Sequence, residues 1–217
     1  MRPAGGRLRV GVLVSGRGSN LQALLDASAR PDYPAEVVVV ISDRERAAAL
    51  DRARAAGIEA LFVNPKDFAD REAFDLALVR ELTARRVGLV CNAGFMRILS
   101  PAYVRAFAGR AMNIHPSLLP AFTGLETHAR ALAAGVKLHG CTVHFVTAQL
   151  DSGPIVIQAA VRVRTRESAD ELAARVLKQE HVIYPRAARW FLDDKLVIQN
   201  GVVRVKGNDA QLIFAPD

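Results

Sequence analysis

The chain has 217 residues, 51% of them apolar, which is enough for a sizeable core and within reach of one α/β domain. Its net charge of +7 comes from arginines scattered through alanine-rich stretches, with no dense basic run interleaved with aromatics, so a nucleic-acid partner is not expected. No apolar run approaches the roughly 18 residues of a membrane span, no secretory layout opens the chain, and Cys91 and Cys141 are too few for a disulfide framework. A reducing cytoplasmic setting is expected.

In chain order, residues 8–15 read as a strand and 19–29 as a helix with Ser19 as N-cap. Residues 36–41 are a strand, 44–55 a helix stopped by Gly57, and 58–63 a strand. Residues 67–85 carry Phe74, Leu78 and Leu82 at helical spacing. A strand over 87–91, a short helix after Pro101 and a strand leading into Asn113 follow. Alternating helices and near-continuous apolar strands predict an α/β, Rossmann-like, mostly parallel twisted sheet with helices on both faces.

Beyond Pro120 the pattern changes. A short helix is expected over 127–134, and two antiparallel strands over 138–146 and 155–164 around Asp151-Ser152-Gly153-Pro154. Residues 168–190 read as a helix opening on a capping box, Ser168 to Glu171. Asn200-Gly201 then marks a hairpin between 196–199 and 202–205. We expect one domain over 1–217, with a core of about 8–192 and an antiparallel C-terminal extension of about 193–217.

Three features carry chemistry. Ser15-Gly16-Arg17-Gly18-Ser19-Asn20 joins the first strand to the first helix, where glycine-exposed backbone N–H groups suit a phosphate. The third glycine of a dinucleotide fingerprint would fall on Leu21 and is missing, although Asp43 is placed as a ribose-binding acid would be. Asn113 and His115, two apart on a strand and followed by Pro116, should face one spot together. An amide donor beside an imidazole suits a reaction that forms an oxyanion and moves a proton. Asp151, in a Gly-Pro turn, is the candidate proton acceptor. Cys141, His139 and His144 lack zinc-site spacing, so no metal is expected.

These blocks, with Ala93-Gly94-Phe95-Met96-Arg97-Ile98-Leu99-Ser100-Pro101 and Gln179-Glu180-His181, run in order from about residue 8 to 192 and resemble the phosphoribosylglycinamide formyltransferase family. The resemblance implies the formyltransferase fold and transfer of a formyl group from 10-formyltetrahydrofolate to the amine of glycinamide ribonucleotide, a step of purine synthesis. It assigns catalysis to Asn113, His115 and Asp151. It assigns nucleotide binding to Gly18, Ser19, Asn20 and Glu180. Folate binding falls to Arg71, Met96, Arg97, Ile98, Leu99, Asn113 and Leu150. The expected partners are these two small molecules, with no metal, membrane or nucleic acid, and a monomer or homodimer. Thr123-Gly124 stands where the family often has Pro-Gly, which leaves the conformation of that loop open. The competing readings are a formyltetrahydrofolate hydrolase and a nucleotide-binding non-enzyme on the same fold.

Overall fold

The computed structural model describes residues 7–216. They form two compact units that meet in sequence between Met112 and Asn113.

The first unit contains β1 (Leu8–Val14), α1 (Ser19–Ser28), β2 (Ala35–Ser42), α2 (Ala48–Ala55), β3 (Glu59–Phe62), a 3-10 turn (Pro65–Asp67), α3 (Arg71–Ala84), β4 (Leu89–Asn92) and α4 (Pro101–Ala106). Its strands lie in the order β4-β1-β2-β3, and each neighbouring pair is parallel. The apolar runs explain this arrangement. Val12, Leu13, Val14, Val39, Val40 and Ile41 have no exposed surface, as strands covered on both faces require.

Two helix starts differ from expectation. α2 begins at Ala48 rather than 44, because the Ser42 hydroxyl accepts from Arg44 N (3.0 Å) and donates to Arg44 O (2.9 Å). This local bonding holds a turn where the pattern suggested helix. The helix expected from 67 is divided. The Asn64 side chain caps the 3-10 turn at Lys66 N (3.2 Å), and Asp70 caps α3 at Ala73 N (2.8 Å).

The second unit takes over within β5 (Ala111–His115) and contains α5 (Thr127–Ala133), β6 (Leu138–Phe145), β7 (Ile155–Arg162), α6 (Ala169–Leu192), β8 (Leu196–Gln199), β9 (Val202–Val205) and β10 (Leu212–Phe214). Its strand order is β10-β7-β6-β5, with β6 and β7 antiparallel and β10 parallel to β7. The capping box at Ser168 and Glu171 starts α6, and β8 and β9 form the expected hairpin. β10 was not foreseen. It is three residues long and is positioned by Gln211, whose Nε2 donates to Val156 O (2.9 Å) and Val203 O (3.1 Å). The fold is thus a mostly parallel, mixed, Rossmann-like α/β arrangement with a small antiparallel sheet near the C-terminus. Among the described residues no helix is long and apolar enough to cross a membrane.

The turn between β6 and β7 is closed by Phe145 N donating to Pro154 O at 2.9 Å. A Cβ added to Gly153 would lie 1.8 Å from Phe145 O. Gly153→Ala should therefore cost about 1–3 kcal/mol in urea unfolding. A variant as stable as the parent would contradict this close approach.

Candidate active site

β5 carries Asn113 and His115 on one side of the strand, and both side chains reach the same cluster. His115 Nε2 lies 2.9 Å from Phe122 O. A carbonyl only accepts, so Nε2 holds a proton, and Nδ1 is the atom that faces Asp151 Oδ2 at 3.4 Å. The same carboxylate oxygen accepts from Gly124 N at 2.9 Å. With Nδ1 also protonated, His115 becomes an imidazolium paired with the carboxylate.

His144 completes the cluster. Its Nδ1 is 3.0 Å from Phe145 O and so carries the proton, which leaves Nε2 to accept from Asn113 Nδ2 at 3.2 Å. Burial holds the His144 imidazole below its ordinary pKa, which favours this neutral acceptor form. One N–H of the Asn113 amide is thereby fixed, and its second is available to a developing oxyanion. Asp151 Oδ1 stands 3.8 Å from His144 Nε2. The side chains of His115, Asp151 and His144 are only 7%, 6% and 4% exposed, so charges here act in a weakly screened medium.

Asp151 adopts a left-handed backbone (φ 49°), a conformation aspartate tolerates. Leu150 beside it is exposed. The loop opposite is tied down as well. Phe122 packs edge-on to His139 (5.9 Å between centroids), and Arg130 stands 5.8 Å from the Phe122 ring. Gly124, in the segment where this chain departs from the family pattern, supplies the N–H to Asp151. Residue types alone did not single out His144 as a site residue, since it read as a weak metal candidate with His139 and Cys141. His139 instead contacts His128 Nδ1 at 3.2 Å. The available signal was its place on a strand leading to Asp151. The contributions of Phe122 O and Gly124 N are backbone groups, which carry no side-chain signature.

In the first unit, Gly18 rather than Ser19 is the N-cap of α1, with φ 75° and no side chain capping the helix. The first-turn N–H groups therefore point off the helix end, the arrangement that suits an anion. Helix α2 fixes the loop. Ala49 N donates to Gly16 O (3.1 Å), and Arg52 Nε donates to Arg17 O (2.9 Å). A Cβ on Gly18 would meet Ala49 Cβ at 2.7 Å. Ser19 is half-buried and Asn20 buried.

Asp43 accepts from Ser15 Oγ at 2.6 Å, and Ser15 Oγ accepts from Met96 N at 2.9 Å. Asp43 thus braces the segment after β4 and is engaged there rather than standing clear for a ribose. On that segment Phe95 and Leu99 are 9% exposed, whereas Met96 and Ile98 are 60% and 55% exposed. Two apolar anchors therefore present two apolar side chains outward. Arg97 lies 4.8 Å over the Phe74 ring and 3.9 Å from Asp43. Arg71 is exposed at the first position of α3. Glu180 is buried in α6 of the second unit. Burial first, and the Glu180 charge second, push the Cys141 thiol pKa up.

This fold, with its half-buried amide and its buried imidazoles and carboxylate, matches a defined class. Residues 8–188 match the Formyl transferase family model, and the chain belongs to that family. It is 46% identical over 200 residues to phosphoribosylglycinamide formyltransferase of Escherichia coli (strain K12), covering 92% of this chain and 94% of that protein. It is 48% identical over 194 residues to the trifunctional purine biosynthetic protein adenosine-3 of Drosophila melanogaster, where it covers 88% of this chain but spans only 14% of that protein's length. Among solved structures, glycinamide ribonucleotide transformylase 1 from Symbiobacterium toebii superimposes with a TM-score of 0.91 at 51% identity, covering 93% of this chain and 95% of that one.

Burial holds His128, His139 and His144 below the ordinary imidazole pKa, with His139 at about 4. Unfolded imidazoles bind protons near pH 6.5, where these folded ones do not. Folding stability should therefore fall as pH drops from about 6.5 toward 4. His139→Gln should flatten that fall. Urea unfolding at pH 7 and pH 5 checks it, and a stability that is level or rises on acidification would contradict it.

Proposed function

We propose that this chain transfers the formyl group of 10-formyltetrahydrofolate to the amine of glycinamide ribonucleotide, giving formylglycinamide ribonucleotide and tetrahydrofolate. The carrying observation is the Asn113–His144–Asp151–His115 cluster, in a chain that spans nearly the full length of the Escherichia coli relative.

10-Formyltetrahydrofolate supplies the electrophilic carbon. As the substrate amine adds to it, the free N–H of Asn113 donates to the oxygen that gains negative charge. A protonated His115, with its Nε2–H on Phe122 O and its Nδ1–H toward Asp151, stabilises the same oxygen by its positive charge. Such fixed groups act without reorganisation at the moment of reaction. Asp151 takes the proton released by the amine, directly or through a water, and a proton is returned to the folate nitrogen as its bond to carbon breaks. We assign Gly18, Ser19 and Asn20 to the nucleotide phosphate and Glu180 to the nucleotide. The exposed Met96 and Ile98, on an anchored segment, fit a flat ring system. Together with Arg71, Arg97, Leu99, Asn113 and Leu150 they are assigned to the folate. The reaction belongs to the cytoplasm, carried out by a monomer or homodimer.

The test offers purified protein 10-formyltetrahydrofolate with and without glycinamide ribonucleotide. Tetrahydrofolate and formylated nucleotide should appear together, and only when the nucleotide is present. Release of formate without nucleotide would identify a hydrolase, and consumption of neither compound would identify a non-enzyme.

A further inference from the structure

Asp75 lies in α3 with no exposed surface. Its Oδ2 accepts a hydrogen bond from Ser100 N, and its Oδ1, also buried, has no hydrogen-bond partner among the described residues. Ser100 is where the segment after β4 ends. Its Oγ caps α4 by accepting from Tyr103 N at 3.3 Å. The other end of that segment is held by Ser15, through Met96 N and Gly94 O. Asp75 and Ser15 therefore clamp the two ends of the stretch that carries Met96, Arg97, Ile98 and Leu99. Phe74, the chain neighbour of Asp75, lies under the Arg97 guanidinium. Arg71 sits one helical turn before Asp75, on the same face of α3.

A buried carboxyl is an expensive way to fill space. Removing it from water carries a penalty that an apolar side chain of similar volume does not incur. Burial raises the Asp75 pKa, while the Ser100 hydrogen bonds and then the charges of Arg71 and Arg97 act the other way. Packing alone would be served as well by leucine. What leucine cannot supply is the acceptor for Ser100 N.

We propose that Asp75 is a positioning residue for the folate side of the reaction: its carboxylate pins Ser100 N and so sets where Met96–Leu99 present their side chains. The inference rests on the reading of that segment as folate-binding.

Two variants separate this role from a merely structural one. Asp75→Asn keeps an acceptor for Ser100 N, and Asp75→Leu fills the space without one. Asp75→Leu should raise the KM for 10-formyltetrahydrofolate about tenfold, while kcat and the KM for glycinamide ribonucleotide stay within about twofold. Asp75→Asn should stay near the parent in all three. An unchanged folate KM in Asp75→Leu would overturn the proposal, as would both KM values rising together or Asp75→Asn being as impaired as Asp75→Leu. If the leucine variant fails to fold, Asp75→Ala replaces it with the same expectations. Amide hydrogen exchange supplies a readout that needs no activity. Exchange over residues 96–100 should quicken in Asp75→Leu, or its alanine replacement, and not in Asp75→Asn, and equal protection in all variants would overturn the proposal. If the parent protein transfers no formyl group, the proposed function fails, and the exchange measurement alone decides the role of Asp75.

Discussion

The candidate site depends on one carboxylate. Asp151 faces His115 with one oxygen, accepts Gly124 N with that same oxygen, and sets the other near His144. His144 in turn fixes the amide of Asn113. Oxyanion donor, imidazole and proton acceptor are thus linked through Asp151 rather than placed separately. The constraint reaches back into the fold. Asp151 holds a left-handed backbone in a turn whose closure leaves no space for a Cβ at Gly153. The Phe122–Gly124 loop is fixed partly by what it gives the site: a carbonyl to His115 and an N–H to Asp151.

The first unit uses a different device, loops held by bonds from neighbouring elements. Gly16–Gly18 is fixed by Ala49 and Arg52 of α2. The segment after β4 is clamped by Ser15, itself bonded to Asp43, and by Asp75. In both places the exposed face is left to backbone N–H groups or apolar side chains, which suits binding rather than chemistry. The titratable groups of the catalytic cluster lie in the second unit.

Much of this was legible in the sequence because it follows from local rules. Continuous apolar runs marked the buried strands, Ser168 and Glu171 marked the start of α6, and Asn200-Gly201 marked the last hairpin. Asn113 and His115 could be paired by strand parity, and the Asp151 turn was identified by its Gly-Pro. What escaped depends on partners distant in sequence or on the backbone. β10 exists through pairing with β7, more than fifty residues earlier in the chain. The start of α2 was shifted by one serine hydroxyl competing for the backbone. His144 acquires its part only when β6 lies beside β5, and Phe122 and Gly124 act through atoms every residue has. The cap of α1 fell on Gly18 because its left-handed φ and the close approach of Ala49 admit no side chain.

The most direct measurement is steady-state kinetics of Asp151→Asn in the formyl-transfer reaction. Asparagine still offers an acceptor to Gly124 N, so the loop stays in place while the proton acceptor is lost. Turnover should fall by about 10²–10⁴-fold, the usual contribution of a positioned acid or base, with the KM for glycinamide ribonucleotide little changed. Near-normal turnover, or a loss confined to KM, would contradict the role of Asp151 as the centre of the proton route.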